Sequence, residues 1–263
     1  MIKINGEKYT RKYFPDGTAL MQLPEIHGGC VIQWNYECDE ELVDIIYLAK
    51  HFHASPDNLS VILRMPYIPN ARQDRVKTGR DVFTLKYFAE IINSLKFDWV
   101  KVLDPHSPVS EALIDNMIKM PINIYVNKAL EQINVSPEDL TFYYPDEGAA
   151  KRYAADGPTV FGIKNRDWET GEIKGLDIHG DVTVEGKTIL MVDDICAYGG
   201  TMYHSAKKLK EMGAGDVYMY VTHCENSILE GDLINSGLVK KIFTTDSIFN
   251  KEHPLIEVME VEY

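Results

Sequence analysis

Cysteine is scarce in this chain, and no long apolar run interrupts it. Four cysteines in 263 residues, Cys30, Cys38, Cys196 and Cys224, stand too far apart for a disulfide framework or for metal-ligand spacing, so free thiols in a reducing compartment are expected. No uninterrupted apolar stretch approaches the ~20 residues that cross a bilayer. The polar segment Met1–Arg11 lacks the apolar centre of a signal peptide. Positive charge is also deficient. Lys and Arg number 27 against 40 Asp and Glu, for a net charge of -13. A nucleic acid or an anionic membrane would demand a basic face, so neither is an expected partner. Internal repeats and low-complexity segments are absent. From these absences a soluble, cytoplasmic protein is expected.

Hydrophobic residues make up 45% of the chain and charged residues 25%, enough to bury a sizeable core. Short apolar runs alternate with helical patterns. Strands are expected at Ala19–Leu23, Cys30–Trp34, Ser60–Arg64, Trp99–Leu103, Leu140–Tyr144, Val160–Ile163, Ile189–Val192, Val217–Thr222 and Lys241–Thr244. Helices are expected at Asp39–Phe52 with Asp39 as cap, Val82–Leu95, Val109–Met117 and Met202–Met212, the last stopped by Gly213. This alternation predicts an α/β protein built on parallel sheets with both faces covered. Asn134, Ser136 and Pro137 interrupt the pattern near Ile133–Glu138, which suggests two α/β domains, 1–135 and 136–263. The polar run Lys164–Gly180 reads as a long connection, and such connections are often functional.

The most informative stretch is Thr188–Tyr203. A buried strand delivers Asp193 and Asp194, a turn follows at Tyr198, Gly199 and Gly200, and Thr201 begins a helical pattern. Paired carboxylates suit ribose hydroxyls, while the free N–H groups and dipole of a helix start suit a phosphate. An acidic strand end followed by a capped helix would account for the same residues. Four further clusters weigh on the choice. Arg72 and Gln73 lie on a loop after a strand, where Arg offers bidentate recognition of phosphate; a solvated charged turn is the plainer reading. His106 and Asp104 sit just past another strand, where open α/β sheets keep their ligands, and His106 equally suits a metal or a helix cap. Asp146 follows a third strand and equally suits a helix cap. Lys164 and Arg166 alternate, which on extended chain places them on one face. Two such cations can neutralise charge on a polyphosphate; a surface charge pair is the plainer reading.

Taken in order, these segments resemble the ribose-phosphate diphosphokinases, the synthetases of phosphoribosyl pyrophosphate (PRPP). The likeness rests on Ala71-Arg-Gln-Asp-Arg75, Asp104-Pro-His106, Pro145-Asp-Glu-Gly148, Lys164-Asn-Arg166, Val192-Asp-Asp194 with Gly200-Thr201, and Tyr220-Val-Thr-His223. Near the start, Phe14-Pro-Asp-Gly17 is similar to the family's adenine-binding segment. The resemblance implies two similar phosphoribosyltransferase-like domains, each a mostly parallel sheet flanked by helices, with ATP bound between them. It implies Mg²⁺-dependent transfer of the diphosphoryl group of ATP to the anomeric hydroxyl of ribose 5-phosphate. Arg72, Gln73 and His106 would hold ATP, with Phe14 and Asp16 reading adenine from a neighbouring subunit, hence a homo-oligomer of at least two copies. His106 and Asp146 would ligate Mg²⁺, and Lys164 and Arg166 would stabilise the transferring group. Asp193 and Asp194 would hold the ribose, with Tyr198, Gly199, Gly200 and Thr201 cradling its 5′-phosphate.

The chain departs from that pattern in places. Ala197-Tyr198 stands where the family carries Asp-Thr, which suits either ribose 5-phosphate or an acceptor with a larger 5′ substituent, such as ADP-ribose. Thr18 replaces a glutamate, the segment between Lys151 and Lys164 is shorter, and the family's first strand–helix unit and final helix have no counterpart. These departures weigh against carrying over the family's hexamer and allosteric nucleotide site. Two other classes share part of the pattern. A PRPP-consuming phosphoribosyltransferase needs the Asp193–Thr201 loop but neither Arg72-Gln73 nor Lys164 and Arg166. A non-catalytic homologue would need no cations poised over a β-phosphate.

Overall fold

The computed structural model describes residues 1–26, 28–57, 59–153, 159–166, 173–180 and 182–263, with backbone alone at 164–166 and 173–176. The chain forms two units, Met1–Pro121 together with Tyr263, and Ile122–Glu262.

The first unit opens with a hairpin of β1 (Ile2–Ile4) and β2 (Glu7–Lys8). Its turn is Asn5-Gly6, both at positive φ, the conformation that a two-residue hairpin needs. A second, two-stranded hairpin joins β3 (Lys12–Tyr13) to β4 (Ala19–Leu20). There follow β5 (Gly29–Trp34), α1 (Glu41–His53), β6 (Ser60–Arg64), α2 (Thr84–Ser94), β7 (Trp99–Leu103), α3 (Pro108–Leu113) and β8 (Met117–Met120). The sheet order is β2-β1-β5-β6-β7-β8, with β5 to β8 parallel and the β1–β2 hairpin antiparallel at one edge. Ile32, Ile45, Leu48, Val61, Leu63, Leu85 and Val102 are fully buried in its core.

Two local expectations fail here for clear reasons. The residue preceding α1 is Glu40, with no side-chain cap. Asp39 instead accepts from the Tyr36 hydroxyl at 2.9 Å. The helix expected over Val109–Met117 stops at Leu113. Asn93 takes the Leu113 carbonyl and the Asp115 N–H, Asn116 turns to φ 54°, and Met117 starts the edge strand β8.

The second unit contains α4 (Asn123–Ile133), β9 (Leu140–Tyr144), α5 (Glu147–Tyr153), β10 (Thr159–Arg166), β11 (Ile173–Gly180), β12 (Thr188–Cys196), α6 (Gly200–Glu211), β13 (Val217–Cys224), α7 (Asp232–Asn235), β14 (Lys241–Thr245) and β15 (Ile256–Met259). The order is β11-β10-β9-β12-β13-β14-β15. Only β11 runs antiparallel to its neighbour among these described strands. Ile189, Leu190, Met191 and Val192 of β12 are all buried, as a central parallel strand covered on both faces requires. Helix α6 ends at Gly213 (φ 84°), whose N–H reaches the Lys210 carbonyl, as expected from the sequence.

Helix α4 groups with the second unit, whereas the composition near residues 133–138 suggested a boundary after it. The buried Tyr125 accepts from the Glu262 N–H at 2.8 Å, and Lys128 pairs with the Glu262 carboxylate. The run Lys164–Gly180 is also not one loop. Residues 164–166 finish β10 and 173–180 form β11, paired from Val160↔Gly180 to Arg166↔Ile173.

Truncating Ile32, fully buried at the centre of β5, should cost about 2–5 kcal/mol. Chemical denaturation of Ile32→Ala should show a clearly lowered midpoint.

Candidate active site

In the second unit, β12 ends in Asp193 and Asp194, and the chain then crosses Ala197 and Tyr198 to reach α6. Gly199 sits at φ 77° as the N-cap, and no side chain caps the helix. The positive end of α6 therefore keeps main-chain donors for an anion. The loop backbone rests on the turn before α7. A β-carbon at Gly231 would overlap the Tyr198 carbonyl oxygen, and one at Gly199 would meet Leu233 at 3.2 Å.

The two acids differ. Asp194 is buried, and its Oδ2 accepts from the Arg152 guanidinium at 2.7 Å. Its Oδ1 accepts from the N–H of Ile195 at 2.8 Å. Asp193 accepts from the Asp194 N–H at 3.0 Å. Burial, followed by the charge of Asp194, pushes the Asp193 carboxyl well above the usual carboxylate range, with a smaller push from Asp146. Asp146 lies between β9 and α5, exposed, with Oδ1 accepting from the Ala149 N–H at 2.9 Å. It does cap α5, and it also contributes to the negative field around β12. The strand ends of β9 and β12 thus gather three carboxylates beside Arg152.

In the first unit, the loops after β6 and β7 are tied together. Asp74 is buried and receives Arg75 Nε at 2.8 Å and the Ser107 hydroxyl at 2.7 Å. Arg75, Ser107 and the nearby His106 hold its carboxyl below the usual value. Gln73 is fixed beside them, its Oε1 accepting from the Thr84 hydroxyl at 2.8 Å. Ser107 also caps α3 through the Val109 N–H. Arg72 is exposed and His106 half-buried on these joined loops. Phe14 and Asp16 occupy a different feature, the tip of the β3–β4 hairpin. The Thr18 hydroxyl and N–H both donate to Asp16, while the Phe14 ring is 48% exposed. Arg11, just before β3, anchors the hairpin to Asp44 of α1 through Nε at 2.9 Å.

The backbone of Lys164 lies opposite Leu176, and that of Arg166 opposite Ile173; their side chains lie outside the described residues. Tyr198 is 59% exposed and Thr201 half-buried at the start of α6. Two contributors carried no clear sequence signal. Arg152 is one cation at the end of a short helix and Gly231 one glycine among turn residues, whereas Asp74 stands inside the Ala71–Arg75 motif. Taken singly, the exposed Asp146 carboxylate is an oxygen donor of the kind a hard cation held mainly by substrate phosphates and water takes, whereas the half-buried His106 imidazole is a softer donor. Among the described residues, no group of three or more His, Cys, Asp and Glu is arranged to hold a metal alone.

Mostly parallel sheets flanked by helices in both units, with paired acids leading into an uncapped helix start in the second, define a phosphoribosyltransferase-like α/β architecture. No protein-family model matches the chain. Curated ribose-phosphate pyrophosphokinases do. That of Thermosipho africanus is 30% identical over 256 residues, 92% of this chain and 78% of the relative. Those of Gloeobacter violaceus and Bacillus subtilis are each 29% identical, over 95% and 93% of this chain and 78% of each relative. Phosphoribosylpyrophosphate synthetase from Mycobacterium smegmatis shares the fold, with a TM-score of 0.77 at 20% identity over 95% of this chain and 85% of that one. The chain belongs to the ribose-phosphate pyrophosphokinase family and is an enzyme of that type. No helix among the described residues is long and apolar enough to cross a membrane.

A carboxyl raised in the folded chain stabilises it at acid pH, and that contribution fades as pH climbs from about 4 through the raised value. Asp193→Asn removes this loss. Its melting temperature should exceed that of the natural chain at neutral pH, with the gap closing below about pH 4. A natural chain more stable at neutral pH would contradict the assigned strain.

Proposed function

We propose that this enzyme transfers the diphosphoryl group of ATP to the anomeric hydroxyl of ribose 5-phosphate, giving PRPP and AMP. The carrying observation is the end of β12: two acids of unlike environment, one held by Arg152, lead directly into an uncapped α6. Asp193 and Asp194 accept from the ribose 2- and 3-hydroxyls. The backbone from Tyr198 to Thr201 receives the 5′-phosphate. Because Arg152 holds one Asp194 oxygen, the pair offers the sugar a fixed set of acceptors instead of two mobile charges.

ATP is held in this reading by Arg72 and Gln73, with His106 near the phosphates. Asp74 positions both loops through Arg75 and Ser107. Phe14 stacks on adenine and Asp16 accepts from its edge, presented to a second copy of the chain. This makes a dimer the smallest complete enzyme, and the outward display of both residues on an anchored hairpin supports it. His106 and Asp146 would hold Mg²⁺, which when bound neutralises phosphate charge. The hydroxyl oxygen bonds to the β-phosphorus as the bond from that phosphorus to the AMP oxygen breaks, and the hydroxyl proton is released to water. Lys164 and Arg166 stabilise charge on the moving group.

The test is phosphorus NMR of protein, ATP, Mg²⁺ and ribose 5-phosphate. AMP and a sugar 1-diphosphate should appear together. A PRPP-consuming transferase would ignore ATP and release pyrophosphate from PRPP. Lys164→Ala should lower kcat by ~10²-fold or more while ATP affinity stays nearly constant; unchanged turnover would remove Lys164 from the mechanism.

A further inference from the structure

The turn that supports the phosphate loop also walls a cavity. Between α6 and the segment around α7 lies a space of about 560 Å³, lined by Tyr203, Lys207, Glu230, Gly231, Asp232 and Asn235 among others. This falls within the ~300–1,000 Å³ typical of small-molecule sites. Its position is fixed relative to the loop, because Gly231 lines the cavity and lies directly against the Tyr198 carbonyl. Tyr203 belongs to the first turn of α6, and the same helix supplies Lys207 one turn on.

The lining selects the chemistry. Two carboxylates, Glu230 and Asp232, outnumber the single ammonium of Lys207, so the lining suits a mainly neutral group with one anionic contact at Lys207. Carboxylates do accept from sugar hydroxyls, the Asn235 amide can both donate and accept at a base edge, and Tyr203 offers an aromatic face. Just outside, the exposed Tyr198 ring stands on a loop whose backbone is held by Gly199 and Gly231. An uncharged nucleoside fits these groups better than an anion does.

We propose that this cavity is a subsite for a nucleoside joined through a diphosphate to the 5′ position of the acceptor ribose, so that the enzyme takes nucleoside diphosphate-riboses, with ADP-ribose as the probe. This rests on reading Tyr198–Thr201 as the 5′-phosphate loop. Lys207 reaches the bridging diphosphate, while Asn235 and the two acids hold the nucleoside.

The experiment compares ADP-ribose with ribose 5-phosphate, by AMP release and by calorimetric binding, in the natural chain and in Lys207→Ala and Asn235→Ala. Both positions lie on the unit's surface, so the fold should survive. The expected result is AMP release with ADP-ribose, together with a KM for ADP-ribose raised about tenfold in each variant. Values for ribose 5-phosphate should not move. Use of ribose 5-phosphate with no use or binding of ADP-ribose would overturn the subsite and leave the diphosphokinase reading intact. Equal effects of the variants on both acceptors would also overturn it. If neither acceptor yields AMP, the diphosphokinase reading fails. Binding then decides the cavity: ADP-ribose affinity lost in Lys207→Ala upholds it, and affinity lost only in Arg72→Ala, which marks the other unit's loop, overturns it.

Discussion

The contact between Arg152 and Asp194 organises the second unit's chemistry. A buried carboxylate is tolerable only with a partner and good hydrogen bonds, and Asp194 has both, from the guanidinium and from the Ile195 N–H. Satisfying Asp194 in this way allows β12 to carry a second acid immediately before it. Asp193 bears the resulting strain, since its neighbour's negative charge and its own burial both oppose ionisation. The contact also links α5, and with it Asp146, to the strand that leads into the loop before α6.

The first unit solves a related problem with the same means. Its loops after β6 and β7 would each be free surface segments if separate. Asp74 joins them from below by accepting from Arg75 on one side and Ser107 on the other. The exposed Arg72 thereby stands on a backbone whose movement is limited by a buried anion. Both units thus place exposed recognition groups on loops braced by a buried carboxylate, an arrangement that lowers the ordering entropy required when a ligand arrives.

Family membership and chemistry come from different kinds of observation. Identity near 30% along almost the whole chain establishes the family. In the proposed reading the acceptor depends on a few residues around one loop, where this chain carries Ala197 and Tyr198 and where a cavity opens beside Gly231. Relatives can share every strand and still differ there, because a substituent on the 5′-phosphate lies away from the anomeric hydroxyl that reacts. The Phe14 hairpin has its tip set by local bonds between Asp16 and Thr18, and only in the proposed reading does it serve a second copy.

The amino-acid order alone determined the central strands, since Ile62-Leu63 or Leu190-Met191 can be covered only inside a parallel sheet. It also determined the stop at Gly213 and the acids at the ends of β9 and β12, because strand periodicity and turn chemistry act over a few residues. The Asn5-Gly6 hairpin carried an equally local signal that the strand and helix patterns passed over. Tertiary structure decided the rest. Helix α4 groups with the C-terminal segment because Tyr125 meets Glu262, and β8 replaces the end of a helix because Asn93 claims that end. Arg152 and Gly231 acquire their roles from partners 42 and 33 positions away in the chain, and Asp74 joins two loops through Ser107, 33 positions on. Propensity senses neighbours in sequence, whereas burial, ion pairing and steric closeness depend on where the folded backbone brings distant residues together.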